Sequence, residues 1–225
     1  MTARVTGPAA VLWDMDGLLV DSEPLWTVAE VELAARLGGE FTDELKAAIV
    51  GTRLEVAVPT ILRWYDADDG PDTVAETSAW LLARMVELFE VDLPLLPGVA
   101  GLLASLRDAG VPLALVSSSY RVLVDAVLAH GIGPFDVTVA GDEVEQGKPH
   151  PEPYLTAAAR LGVDPRDCVV MEDSPAGVAA GEAAGCAVVA VPSVPGVSFA
   201  PAPRRLVVPS LAAVTLDALH TLVAS

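Results

Sequence analysis

The strongest constraint on this fold is a series of short, almost wholly apolar runs separated by helical patterns. Segments 111–116, 137–140, 168–171 and 187–191 are each too short for a helix, and each is apolar on both sides. Helical periodicity fills 99–109, 122–130, 151–161 and 176–184 between them. Strands that are apolar on both faces and joined by helices form a parallel sheet covered on both sides. Residues 9–13 read as a further buried strand, 206–208 as a last short strand and 211–223 as a last helix. Between the first strand and the Pro-rich hinge at 93–98 the pattern is helical throughout, over 24–37, 43–50, 53–65 and 72–89. The expected architecture is an α/β, Rossmann-like parallel-sheet core (1–19 and 97–225) interrupted by an inserted α-helical cap (20–96).

Charge removes several functional classes. The formal net charge is −18, and the chain contains only two lysines, Lys46 and Lys148. Nucleic-acid binding needs clustered Lys and Arg, so no nucleic-acid partner is expected. No apolar run reaches the roughly 18 residues of a membrane span, and residues 1–8 lack the pattern of a secretory leader. A cytoplasmic location follows as an expectation, and without a sustained heptad a monomer is expected. Cys168 and Cys186 lie in apolar surroundings and read as buried, reduced thiols. An acidic protein repels phosphorylated molecules at long range, so any cation near a strand end matters.

In an open parallel sheet, ligands bind at the carboxyl ends of the strands. The residues that follow the strands here are Asp14-Met15-Asp16-Gly17, Ser117-Ser118-Ser119, the loop ending in Gly147-Lys148-Pro149, and Glu172-Asp173-Ser174. On a strand, residues i and i+2 point the same way, which would set Asp14 and Asp16 side by side. Carboxylates gathered in this way repel unless a cation joins them. With Glu172 and Asp173 the set suits Mg²⁺, a hard ion that takes oxygen ligands. Any one of these acids could be a helix or turn cap; packing does not account for all four strand ends together. A carboxylate can attack phosphorus, and Asp14 fits that role. Asp16 could pass a proton to the leaving oxygen and later take one from water. Lys148, the Ser117 hydroxyl and the N–H groups of a helix beginning near Ser119 could meet the charge of a phosphoryl group. Gly17 would let the chain turn sharply off its strand.

These residues carry a resemblance. Asp14-Met15-Asp16-Gly17-Leu18-Leu19-Val20-Asp21-Ser22 resembles the first motif of the haloacid dehalogenase-like superfamily. Ser117 resembles its second motif, Lys148 in Gly147-Lys148-Pro149 its third, and Glu172-Asp173-Ser174-Pro175 its fourth, in matching order along almost the whole chain. The insert is similar to the helical cap of the β-phosphoglucomutase-like branch, and its start resembles the hexitol-phosphate and 2-deoxyglucose-6-phosphate phosphatases of that branch. The resemblance implies that Asp14 is nucleophile and Mg²⁺ ligand. Asp16 is then acid/base and binds the metal through its carbonyl, Asp173 is a ligand, and Glu172 lies in or next to the metal shell. Ser117 and Lys148 would hold the phosphoryl group, with Ser118 and Ser119 adding contacts. Arg53 matches the cap arginine and would touch the substrate, a small phosphorylated metabolite.

Alternatives within the resemblance differ by residue. Dehalogenation resembles a metal-free reaction with no acid two residues past the nucleophile, so Asp16 speaks against it. Phosphonate cleavage uses a cap lysine as a Schiff base, whereas the matching cap segment here, 50–53, ends in Arg53, which cannot form that adduct. A β-phosphoglucomutase-type sugar phosphomutase has a cap histidine where this chain has Leu25-Trp26; no histidine occurs in 20–96. Of the core histidines, His150 reads as a loop-orienting residue and His130 and His220 as surface positions. Trp26 and Trp64 could wall the cleft or fill the cap core, and Asp21 and Ser22 are expected to fix the hinge and cap the next helix. A non-catalytic binding protein on the same fold has no need of Asp14 and Asp16 together. The expectation is therefore a Mg²⁺-dependent phosphatase for small phosphate monoesters, of the sugar or sugar-alcohol kind.

Overall fold

A computed structural model describes residues 7–193 and 196–225. Six strands form one sheet: β1 (Ala10–Trp13), β2 (Leu113–Val116), β3 (Val137–Val139), β4 (Cys168–Glu172), β5 (Ala187–Ala190) and β6 (Arg205–Val207). Their order is β3-β2-β1-β4-β5-β6 and every pairing is parallel. Successive connections run outward on one side of β1 and then on the other, so the topological switch lies between β1 and β4. Ligand clefts open at such a point.

The period-two alternation of the strands builds two cores. Val11, Trp13, Leu115, Met171 and Val189 face one side, under α5 (Val99–Asp108), α6 (Arg121–Ala129) and α9 (Leu216–Ala224). Leu12, Val116, Val170 and Val188 face the other, under α7 (Glu152–Leu161) and α8 (Pro175–Ala183). Each fully buried side chain of this size contributes about 1.5–3 kcal/mol.

The insert consists of α1 (Glu23–Arg36), α2 (Asp43–Ile49), α3 (Leu54–Trp64) and α4 (Pro71–Val91). Leu33, Leu45, Ile61, Leu62, Leu81, Met85 and Phe89 turn inward and join the same apolar cluster as the Trp13 face of the sheet. Helix α4 packs on α1 and α3 and also on α6, tying the insert to the sheet. Lys46 is committed inside the insert, 2.6 Å from Glu23 and 2.8 Å from Glu30. Trp26 is partly buried against the cluster, while Trp64 stays half exposed.

Three expectations change. The last helix is not continuous over 211–223. A short 3₁₀ turn at Leu211–Ala213 precedes α9, because the Thr215 hydroxyl accepts from the Ala218 N–H and restarts the chain as a capped helix. Helix α6 starts at Arg121, one residue from the expected 122, but the Ser119 N–H ahead of it is not open to a ligand, because it donates to Ser117 Oγ. Ser22 stands at the N-cap position of α1 without a capping bond. The loop expected over 194–203 and the N-terminal segment fall partly outside the described residues. Both cysteines are free and buried, and burial pushes both thiols up to about 12. Among the described residues no helix is long and apolar enough to cross a membrane.

Candidate active site

Strand β1 ends at Trp13, so Asp14 and Asp16 lie in the turn beyond it and not on one strand face. Gly17 makes this turn possible: its φ is +80°, and a Cβ there would sit 2.3 Å from the Asp173 carboxylate. The two aspartates consequently have different partners. Asp14, buried, accepts from the Lys148 ammonium. The Asp16 carboxylate accepts from Ser22 at 2.6 Å, Ser119 at 2.8 Å and Ser117 at 3.2 Å. The Ser22 hydroxyl is thus spent on Asp16, which explains its missing cap. The Ser119 N–H, expected to be open to a phosphate, donates instead to Ser117 Oγ at 2.9 Å.

Lys148 is the central cation. Its Nζ reaches Asp14, Glu172 Oε1 at 2.7 Å and the Val116 carbonyl at 3.0 Å, with the side chain only 4% exposed. Glu172, completely buried, is held by five donors. Lys148 and the Tyr154 hydroxyl, at 2.7 Å, fill Oε1; the Asp173 N–H, the Ser174 N–H and the Ser174 hydroxyl fill Oε2. Gly177 of α8 admits this carboxylate, since a Cβ there would lie 1.6 Å from Glu172 Oε1. Asp173 accepts from the Ser193 hydroxyl.

The electrostatics are short of positive charge. Asp14, Glu172 and Asp173 each present an oxygen within 4.8 Å of the other two, against the single Lys148. Burial, then the Glu172 charge, raises the Asp14 pKa well above the usual carboxylate range. The same two causes push Asp173 up to about 7. Burial also opposes the charge of Glu172, but Lys148 outweighs it and holds Glu172 ionised. Burial opposes the charge of Lys148 in turn, and Asp14 and Glu172 together overcome it. A set of buried oxygen donors with unmet negative charge fits a hard divalent cation. Asp14 and Asp173 have open lone pairs among the described residues, whereas Glu172 is saturated by protein donors. The Asp16 carboxylate lies outside this cluster.

Arg53 sits at the N-terminus of α3, apart from the acids. Its Nη2 donates to the Gly141 carbonyl at 3.1 Å, bridging the insert to a core loop that abuts Ser118 and Ser119. Ser118 is exposed and makes no side-chain hydrogen bond among the described residues. His150 accepts from the Glu152 N–H at 3.2 Å and shapes the loop after Lys148, as expected.

Tyr154 and Ser193 are the site residues that sequence reasoning passed over, and Ser22, expected as a helix cap, binds Asp16 instead. Tyr154 sat in plain view in the Lys148 segment, six residues on, but a tyrosine within a helical pattern reads as core.

A parallel sheet whose central strand ends bear a lysine-bound carboxylate, a second carboxylate held by hydroxyls and a buried acidic cluster makes an α/β fold with a polar, acid-rich site at its carboxyl edge. The chain belongs to the haloacid dehalogenase-like hydrolases: the model of that family matches residues 8–185. It is 37% identical over 190 residues to hexitol phosphatase B of Escherichia coli, covering 82% of this chain and 83% of that protein. A phosphorylated carbohydrates phosphatase of Thermotoga maritima is 34% identical over 178 residues, covering 78% and 81%. Among solved structures, CbbY of Rhodobacter sphaeroides in complex with phosphate superposes with a TM-score of 0.80 at 30% identity, covering 92% of this chain and 96% of that one.

Proposed function

We propose that this chain is a Mg²⁺-dependent phosphatase of small phosphate monoesters, of the sugar or sugar-alcohol class, working through a phosphoryl-aspartate on Asp14. The observation that carries the reading is the division of labour between two carboxylates. Asp14 belongs to the buried cluster with Lys148, while Asp16 is held outside it by three hydroxyls. On this reading the first attacks phosphorus and the second moves protons. The names of the relatives at 37% and 34% identity support the substrate class.

In the first half-reaction an Asp14 oxygen forms a bond to phosphorus, the ester P–O bond breaks, and the departing oxygen takes the proton of the Asp16 carboxyl. In the second, Asp16 takes a proton from water as the water oxygen attacks phosphorus, which releases Asp14 and inorganic phosphate. Lys148 keeps Asp14 oriented and meets the phosphoryl charge; Ser117 adds a hydroxyl donor. Asp14, Asp173 and the Asp16 carbonyl are the groups that would hold the metal, with Glu172 anchoring Lys148 beside them. Bound Mg²⁺ supplies charge neutralisation at the phosphoryl oxygens. The insert, 20–96, acts as a lid that excludes bulk water.

The test is phosphate release from a panel of hexose, hexitol and pentose phosphates, nucleotides and an aryl phosphate, with and without Mg²⁺, beside Asp14→Asn. Mg²⁺-dependent release that disappears in Asp14→Asn is the expected result. Conversion of a hexose 1-phosphate to its 6-phosphate without net release would replace the reading by a mutase.

A further inference from the structure

The seam between the insert and the carboxyl edge of the sheet carries a charge pattern that the catalytic scheme does not use. Tyr120, one residue past Ser119, donates its hydroxyl across the seam to Glu55 Oε1 at 2.8 Å. Arg53 Nε lies 3.6 Å from Glu55 Oε2, and the Glu55 side chain is 55% exposed. Burial, with Glu55, pushes the Tyr120 phenol up to about 12, so the tyrosine stays a donor and Glu55 an acceptor.

The cations of this rim are already matched. Arg121 gives its Nε to Glu143 at 2.9 Å and its Nη1 to Asp125 at 3.3 Å and Thr138 at 2.9 Å. Arg160 also rests on Glu143, at 3.2 Å. Asp142, beside Gly141, accepts from the Arg121 N–H at 2.8 Å. Lys46 is bound by Glu23 and Glu30 within the insert, and Lys148 is bound among the catalytic acids. One phosphoryl group thus has a dedicated cation, Lys148. A second would enter a rim where Arg53 and Arg121 are each paired and Glu55 and Asp142 add negative charge, in a chain of net charge −18. A neutral hydroxyl, by contrast, can donate to the half-exposed Glu55 carboxylate, whereas the Gly141 carbonyl is already taken by Arg53.

We propose that Glu55 is a specificity-determining residue: it makes the outer part of the cleft reject a second phosphate and accept a hydroxyl-bearing neutral end, so that the site takes polyol monophosphates and excludes bisphosphates. This rests on the phosphatase reading for the identity of the inner, phosphoryl-holding half of the cleft. The same charge pattern disfavours a mutase, which must hold a bisphosphate.

Binding separates this inference from turnover. The Asp14→Asn chain, with Mg²⁺ present, is titrated calorimetrically with a hexose monophosphate and with the matching bisphosphate, with and without Glu55→Gln. Gln keeps the shape and can still accept from Tyr120. With Glu55 the monophosphate binds at least tenfold more tightly; with Gln the two come within about threefold. Near 1 M salt the preference of the Glu55 form shrinks as well, because screening shortens to about 3 Å. Tyr120→Phe removes the tie but keeps the charge, so it retains the preference. Equal or tighter bisphosphate binding with Glu55 in place, an unchanged ratio in Glu55→Gln, or collapse of the ratio in Tyr120→Phe overturns the proposal. Failure of the native chain to hydrolyse any ester, with the ratio as expected, removes the phosphatase reading alone.

Discussion

Replacing Lys148 by Met tests whether one buried cation holds the acidic centre together. Met matches the aliphatic stem in length and removes only the charge and its bonds. Three interactions go: those to Asp14, to Glu172 and to the Val116 carbonyl at 3.0 Å. A cation–π contact with Tyr154, 5.0 Å from the ring centre, goes with them. Glu172 keeps four donors, so the loss falls mainly on Asp14 and the carbonyl. With the side chain 4% exposed, solvent cannot substitute. Breaking a buried ion pair from one side costs about 3–5 kcal/mol, out of a typical total of about 5–15 kcal/mol. For a chain of this size that corresponds to a drop in Tm of roughly 6–20 °C. Urea unfolding of Lys148→Met, Glu172→Gln and the double variant, all without metal, measures the loss and the coupling. A coupling above about 1 kcal/mol is expected, because Gln removes the charge that Lys148 was matching. Partial recovery by Mg²⁺ in Lys148→Met, larger than in the native chain, is also expected. A loss under about 1 kcal/mol with no coupling would refute the reasoning.

Further outcomes follow from the same geometry. Asp16→Asn should slow hydrolysis by about 10²–10⁴-fold while leaving the Mg²⁺-induced rise in Tm in place; near-native rates at neutral pH would remove Asp16 from proton transfer. Gly177→Ala should destabilise by about 1–3 kcal/mol, although Ala ordinarily favours a helix, because its Cβ would occupy the place of Glu172 Oε1, 1.6 Å away; a gain in Tm would mean that Glu172 is free to move. Arg53→Ala should raise KM for sugar phosphates more than for an aryl phosphate, and equal effects on both would reduce Arg53 to a bridge to the Gly141 carbonyl.

Sequence by itself determined the sheet, the helical insert and which residues gather at the carboxyl edge of the sheet. Apolar strands that end in Asp14, Ser117 and Glu172-Asp173 announce both a parallel sheet and the edge at which a ligand binds, because one periodicity sets the strand and the next residues sit at its carboxyl end. With only two lysines in the chain, Lys148 stood out beside those ends. Tertiary structure alone decided which groups each acid meets. The strand expectation set Asp14 and Asp16 side by side, but β1 stops at Trp13 and the turn at Gly17 sends Asp16 to Ser22, Ser117 and Ser119. Tyr154 and Ser193 join the site, and Glu55 meets Tyr120 across 65 positions of chain. The physical reason is that local pattern fixes which face of an element is apolar, whereas a hydrogen bond depends on where a distant loop happens to close, and no periodicity within either segment records that closure.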